Sequence, residues 1–96
     1  MPYELPEWAA ARLRGVTVAE VFQVLRARRK WARPSTGSDL RVTLIAGRTD
    51  AGRPILVAVH QDAPFHSVII AAGELTGDNL DAFTRWEAET DEPFEG

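Results

Sequence analysis

The sequence predicts an α+β domain with two N-terminal helices, a three- to four-stranded antiparallel meander sheet and a C-terminal helix. A capping-box pattern at 17–20 opens a run of apolar residues at helical spacing. Runs rich in β-branched residues flank turn-forming residues at 50–52 and again at 61–64, as in consecutive hairpins. An N-cap region at 76–79 precedes a second apolar stripe of helical period. Together these features favour helices packed on the apolar face of one sheet.

Length and composition limit the size and class of the protein. With 96 residues, of which 45% are hydrophobic, the chain is expected to form one domain over 1–90 and a disordered acidic tail over 91–96. Cysteine is absent, which excludes disulfides and thiolate metal sites. No apolar run approaches the roughly 20 residues that span a bilayer, and the N-terminus has no signal-peptide pattern. We therefore expect a cytoplasmic protein without membrane contact.

The N-terminal third predicts two helices. Pro6 stands where the first helix would begin, because its missing N–H costs nothing in a first turn, and Gly15 would end that helix. Thr17 and Glu20 form the capping box of the second helix, which is expected to run to about Lys30. Its inward stripe is predicted to contain Val18, Val21, Phe22 and Leu25.

A hairpin centred on residues 50–52 organises the predicted sheet. Asp50 can bond its own backbone and Gly52 can take a positive φ, which suits a tight connection. Burial then decides the register, since a slip of one residue sends every apolar side chain to the opposite face. A three-residue loop would mix Thr43 and Gly47 into the apolar face, so the sequence favours a four-residue loop. In that register the apolar face of the sheet contains Val42, Leu44, Ala46, Ile55, Val57 and Val59.

The four-residue loop makes Arg48 and Arg53 direct neighbours at the end of the sheet. A second turn at 61–64 would pair His60 with Phe65 and complete the meander. The expected cross-strand neighbours are then Val57 with Val68 and Ile55 with Ile70.

Three further segments complete the predicted domain. Residues 31–33 are expected to be extended, and 34–38 have the composition of a loop. The last helix should direct Leu80, Phe83 and Trp86 toward the sheet, because the three lie along one of its sides.

Positive charge is concentrated in the first part of the chain. Residues 1–60 hold ten Arg and Lys against five Asp and Glu, a balance of +5, whereas residues 61–96 hold one against nine, a balance of −8. Around the end of the second helix lies a basic cluster of Arg26, Arg28, Arg29, Lys30 and Arg33. The cluster has two interpretations, a contact surface for an RNA backbone and the solvated end of a helix.

Other candidate groups also have two interpretations. Arg48 and Arg53 can hold a phosphate through forked hydrogen bonds, or can pair with acids such as Glu74 and Asp50. The three tryptophans are either core residues or stacking surfaces for bases: Trp8, Trp31 and Trp86.

No metal site or cofactor is predicted. The expected register directs His60 and His66 to opposite faces of the sheet, and a third ligand of suitable geometry is missing.

Three stretches of the chain form a pattern by their order and spacing: RGVTVAEVFQVL at 14–25, AGRTDAGRPILVAV at 46–59 and VIIAAGELTGDNLDAF at 68–83. Together they resemble the BrnT family of bacterial toxins, the ribonuclease partners of type II toxin–antitoxin pairs, whose fold is similar to RelE. The family's middle motif is met by Gly47-Arg48 and Gly52-Arg53.

The resemblance implies a metal-independent endoribonuclease with a cognate antitoxin protein as partner. A 2′-hydroxyl would attack the adjacent phosphate, while Arg48 and Arg53 stabilise the transition state and Arg14 joins the basic cluster in contacting RNA. Two positions depart from the family: Arg14 stands where a histidine is common, and Gly73 where an arginine is common. These departures favour the alternative, a catalytically inactive BrnT-like module that binds a protein or regulates.

Overall fold

A computed structural model describes residues 3–34 and 42–89. These residues form one mixed sheet of six strands with three helices, which confirms the predicted α+β class. The elements are β1 (Tyr3–Glu4), α1 (Glu7–Ala10), β2 (Leu13–Arg14), α2 (Val18–Arg26), β3 (Lys30–Pro34), β4 (Val42–Arg48), β5 (Pro54–Ala63), β6 (His66–Glu74) and α3 (Gly77–Glu89). The expected tail at 91–96, and residues 35–38 of the expected loop, lie outside the described part of the chain.

The strands follow the order β1, β6, β5, β4, β3 across the sheet, and β2 pairs with β6 beside β1. The four strands from β3 to β6 are antiparallel neighbours, and β3 confirms the extended segment expected at 31–33. β1 and β2 run parallel to β6, and the sequence interpretation missed both. Each has two residues, which is too short for the alternation that identifies a strand.

The first helix is one turn long because the chain after it joins the sheet. Leu13 and Arg14 pair with Ala72 and Gly73 of β6. The first helix therefore ends at Ala10 and does not reach Gly15, where the sequence predicted its end. Backbone groups at the β6 edge are satisfied by this pairing.

α2 begins with the predicted capping box. The Thr17 N–H donates to Glu20 Oε1 over 2.9 Å, and the Glu20 N–H donates to Thr17 Oγ1 over 3.2 Å. The helix ends at Arg26, four residues earlier than expected, because the backbone becomes extended at Ala27 and enters β3 at Lys30. Lys30 Nζ donates to two carbonyls at the helix end.

The inward stripe of α2 differs from the predicted one at its start. Val21, Val24 and Leu25 are buried, but Val18 is 45% exposed, so its predicted inward position is wrong. Val16, which precedes the cap, is buried in the same cluster as Val21. This is the arrangement of a hydrophobic staple, in which the residue before the cap takes the core position and fixes the entry of the helix.

The register of the central hairpin is one residue away from the predicted one. Gly47 lies beside Ile55 and Arg48 beside Pro54, so the four-residue loop is wrong. The buried Thr49 closes the turn: its N–H donates to the Arg53 carbonyl over 2.9 Å, and its hydroxyl accepts from the Arg53 N–H over 3.1 Å.

Gly47 is accepted on the apolar face because helix α2 fills the space above it. A Cβ added to Gly47 would lie 3.0 Å from Val24 Cγ1. The missing side chain therefore permits a close approach of helix to sheet. The predicted register excluded Gly47 from the apolar face because it allowed only aliphatic residues there.

The two faces of the sheet carry two apolar clusters, and both are covered by helices. Helix α2 packs on Ile45, Ile55 and Val57, whereas Phe83 of α3 packs with Ala46 on the other face. The prediction of a single apolar face is therefore wrong. Leu80 and Trp86 lie partly buried beside Phe83, as predicted.

The second hairpin also differs in register from the prediction. Its connection is Pro64 and Phe65, and the strands continue to the pair of Ala63 with His66. Phe65 has a φ of 63° and is 81% exposed. Irregularities after Ala58 and after Gln61 absorb extra residues, as β-bulges do. The observed neighbours are therefore Val57 with Ala72 and Ile55 with Glu74.

None of the helices in 3–34 and 42–89 is long and apolar enough to cross a membrane.

Candidate functional site

Arg48 and Arg53 extend to opposite faces of the sheet. Arg48 follows Ala46 on the face covered by α3, and Arg53 precedes Ile55 on the face covered by α2. The predicted pair of adjacent guanidiniums is therefore not formed, because it depended on the four-residue loop. Each arginine has its own set of partners.

Arg48 is held by a carboxylate of α3. Its Nε donates to Glu87 Oε2 over 2.8 Å, its Nη2 donates to Glu87 Oε1 over 2.9 Å, and its Nη1 donates to the Gly52 carbonyl over 2.9 Å. The hydrogen bonds to Glu87 raise the pKa of Arg48 above its usual value. The same forked geometry suits a phosphate, which presents paired oxygens in the same way.

Arg53 lies between two carboxylates. Nη1 donates to Glu20 over 2.7 Å, and Nη2 donates to Glu74 over 2.5 Å and to the Gly15 carbonyl over 2.8 Å. The bond to Glu20, followed by that to Glu74, raises the pKa of Arg53. One positive and two negative groups leave this site with a formal charge of −1. Such a site repels a phosphate and ties the hairpin to α2 and β6.

The acids that hold these arginines are only partly those expected. Glu74 is a partner of Arg53, as one interpretation proposed, whereas Glu20 and Glu87 were missed. A signal for Glu87 exists, since it follows Phe83 by four residues and so lies on nearly the same side of α3. The signal for Glu20 was obscured by its role in the capping box. It accepts from Thr17 with one oxygen and from Arg53 with the other.

A row of aromatic rings and arginines crosses the face that α3 covers, and we call it the arginine–aromatic stack. The rings of Trp31 and Trp86 are stacked, with centroids 5.6 Å apart and planes 7° apart, and Phe83 continues the row at 5.6 Å from Trp86. Arg33 Cζ lies 4.1 Å from the Trp31 centroid, and Arg48 Cζ lies 5.6 Å from that of Phe83. Both tryptophans are half-buried, and Trp31 packs against Trp86 and Arg33.

The basic cluster divides by role. Lys30 Nζ donates to the carbonyls of Leu25 and Ala27 over 3.0 and 3.1 Å, so this residue caps the helix. Arg29 donates from Nη2 to the Glu87 carbonyl and lies over the Trp86 ring at 5.7 Å.

Three other predicted RNA contacts are spread over the surface. Arg26 and Arg28 are exposed near the end of α2, a position that fits both interpretations of the basic cluster. Arg14 lies on β2, beyond β6, whereas the basic cluster lies near β3. Arg14 is paired with Gly73, so the two positions that depart from the BrnT pattern are neighbours in the sheet.

Three arginines line one open pocket of about 400 Å³ between the end of α2 and α3. The pocket is lined by Ala27, Arg28, Arg29, Arg48 and Glu87. Three positive groups and one negative group give it a formal charge of +2. We call it the three-arginine pocket. Its charge favours an anion, in contrast to the surroundings of Arg53.

His66 links the N-terminal strand to the second hairpin. Its Nδ1 lies 2.6 Å from Asp62 Oδ1, and its Nε2 lies 3.1 Å from Glu4 Oε1. The hydrogen bond to Asp62 raises the pKa of His66, and the charge of Glu4 contributes further. The predicted register would place His66 beside Val59. In the structure His66 pairs with Ala63.

In the described ranges, no group of three or more His, Asp or Glu residues is arranged to hold a metal ion. The fold and the site together define a small α+β domain with an arginine–aromatic surface. Comparisons with protein-family models, with curated proteins and with solved structures give no match to this chain.

Proposed function

We propose that this chain is a BrnT-like toxin component of a toxin–antitoxin type system, and that it binds RNA on the arginine–aromatic stack. The observation that carries the proposal is the contact of Arg33 with Trp31 and of Trp31 with Trp86, beside Arg29. Aromatic rings offer bases a stacking surface, and nearby arginines neutralise the phosphates. The resemblance of three sequence stretches to BrnT supplies the class of system, with a cognate antitoxin as protein partner.

The activity implied by the resemblance is metal-independent cleavage of RNA. Of the two arginines proposed to stabilise the transition state, Arg48 has the better electrostatic surroundings, because the three-arginine pocket carries +2. Arg53, with Glu20 and Glu74 on either side, is better suited to stabilising the fold. We therefore assign the phosphate contact to Arg48.

A second candidate function belongs to a different class. A catalytically inactive BrnT-like module that binds a protein or regulates is favoured by one observation, the carboxylates that hold both arginines. Loss of free cationic groups reduces stabilisation of a phosphorane-like transition state, whereas the fold and its surfaces are retained.

RNA binding is tested by the anisotropy of a fluorescein-labelled single-stranded RNA at low salt. Trp31→Ala should weaken binding about 10-fold, since stacking of one base contributes about 1–3 kcal/mol. Trp8→Ala is a matched control, because Trp8 is 52% exposed and also carries an arginine, Arg12, 5.5 Å from its ring centroid. Arg33→Gln tests the same surface without removing a packed ring. Equal affinity of the unsubstituted protein and the three variants would contradict RNA binding on this stack.

Cleavage separates the two candidate functions. Induced expression in a bacterial host should arrest growth and degrade total RNA if the chain is a ribonuclease, and Arg48→Ala should abolish both effects. Normal growth with intact RNA, at a high level of folded protein, favours the inactive module. Incubation of purified protein with RNA in EDTA tests the expected metal independence.

A further inference from the structure

The connection between β5 and β6 carries an aromatic side chain that contributes little to the core. Phe65 is 81% exposed, the highest value among the exposed large apolar residues of the described ranges. Its φ of 63° lies in the left-handed region, which is unfavourable for a bulky residue and is usually occupied by glycine or asparagine in turns. The exposed ring and the strained backbone both cost free energy. Strain of this kind, kept at an exposed aromatic residue, is typical of binding sites.

A pocket with a mainly apolar lining lies at the same end of the sheet, and we call it the Tyr3 pocket. Its volume is about 520 Å³. A cavity of about 150 Å³ already holds benzene, so this pocket has room for a phenyl ring. Tyr3 pairs with Ser67, two residues after Phe65, which places the pocket close to the hairpin connection. Three apolar residues and one arginine line the pocket: Tyr3, Phe22, Leu25 and Arg26.

The charges near the hairpin connection and in the pocket are opposite. Asp62 and Glu4 lie against the two ring nitrogens of His66, so these three groups carry a formal charge of −1 with His66 protonated and −2 with it neutral. Arg26, which lines the pocket, is exposed and positively charged. A hairpin that enters such a pocket brings a carboxylate toward an arginine, which favours association.

We propose that this chain forms a weak homodimer in which Phe65 of each copy enters the Tyr3 pocket of the other. Because Phe65 and the pocket lie close together on one copy, a two-fold rotation forms both contacts at once and closes the dimer. Two inserted aromatic side chains bury roughly 300–500 Å², against about 1,200 Å² or more in stable interfaces, so we expect association at micromolar concentrations or above. Phe65 and Tyr3 lie outside the arginine–aromatic stack. The inference therefore goes beyond the proposed function and does not depend on it.

Sedimentation equilibrium between about 10 µM and 1 mM protein measures the dimer. Phe65→Asn should weaken dimerisation at least about tenfold, because the ring is the buried anchor. The melting temperature of the dilute monomer should stay the same or rise, since asparagine suits a positive φ. Trp8→Ala is a matched control: Trp8 is a second exposed aromatic residue, and its loss should leave the dimer unchanged. A monomer throughout this range, or equal weakening by both substitutions, overturns the proposal in favour of a different partner for Phe65.

Reversal of charge tests whether the Tyr3 pocket accepts the hairpin. Arg26→Asp and Asp62→Arg should each weaken dimerisation, and the double variant should regain an affinity within about threefold of the unsubstituted protein. Asp62→Arg also removes a partner of His66, so the diagnostic result is the regained affinity of the double variant. A double variant in which the two losses simply multiply overturns the pocket as the acceptor.

A direct contact is measurable because Tyr3 is the only tyrosine of the chain. In a mixture of isotope-labelled and unlabelled protein, filtered nuclear Overhauser effects should connect the Phe65 ring of one copy to the Tyr3 ring of the other. These signals should appear at high protein concentration and disappear on dilution. A dimer without them overturns the proposed arrangement and shows that another surface associates.

Discussion

Val24 of helix α2 contacts the sheet at Gly47, where an added Cβ would lie 3.0 Å from Val24 Cγ1. This close approach explains why a glycine occupies the buried face of β4. It also positions α2, whose first turn supplies Glu20 to Arg53. The packing of one helix on one glycine thus influences the surroundings of a candidate site residue.

Gly47→Ala should destabilise the domain by about 1–3 kcal/mol, because overpacking at a tight contact forces the helix and the sheet apart. The melting temperature measures this effect. Gly73→Ala is the control, since its Cβ would lie 3.5 Å from the nearest atom, Arg14 Cβ, at an ordinary contact distance. Combining Gly47→Ala with Val24→Ala should cost less than the sum of the two changes. Additive costs would contradict the contact.

The ion pair of Arg48 with Glu87 should show a coupling free energy of about 1 kcal/mol in a double-mutant cycle, given its forked and partly buried geometry. Chemical denaturation of Arg48→Ala, Glu87→Ala and the double variant measures it. Arg48→Ala and Arg53→Ala should be additive, because the two side chains extend to opposite faces. Strong coupling between the two arginines would instead support the adjacent pair that the sequence predicted.

His66 should make the stability fall as the pH rises above about 6.5. Asp62 and Glu4 raise the pKa of His66 in the folded state above the unfolded value of about 6.5. Its stabilisation is therefore fully present below about pH 6.5 and is lost as the pH rises through the folded pKa. Melting temperatures should fall as the pH rises above about 6.5, and His66→Gln should reduce the slope. His60→Gln is the control, and an unchanged slope in His66→Gln would contradict the assignment.

Thr17→Ala should destabilise the domain by about 1 kcal/mol, because the hydroxyl caps the N–H of Glu20 at the start of α2. In a domain of this size that loss lowers the melting temperature by about 4–8 °C. Thr84→Ala provides a contrast: the Thr84 hydroxyl donates to the Leu80 carbonyl within α3, a bond that contributes little to helix stability. Equal effects of the two substitutions would show that the cap is not formed.

Local patterns predicted the elements that local interactions determine. The capping box of Thr17 and Glu20, the extended segment at 31–33 and the side of α3 that carries Phe83 were all predictable, because each depends on residues a few positions apart. The two-residue strands β1 and β2 were not, since only their partner β6 makes them strands.

The candidate site was predicted less well than the fold. Arg28, Arg29 and Arg48 were each identified by their charge, but nothing local indicates that they share one pocket. Arg53 was identified for the same reason, although two carboxylates distant in sequence neutralise it.

The sequence by itself determined the α+β class, the capped helix α2 and the supply of arginines and tryptophans. Tertiary structure decided the register of the hairpin, and with it the face on which Arg48 meets Glu87 and the face on which Arg53 meets Glu20. The physical reason is that alternation in a strand has a period of two, so a one-residue difference reverses every side chain. In the observed register Val24 fills the space above Gly47, a contact between residues 23 positions apart that no local pattern indicates.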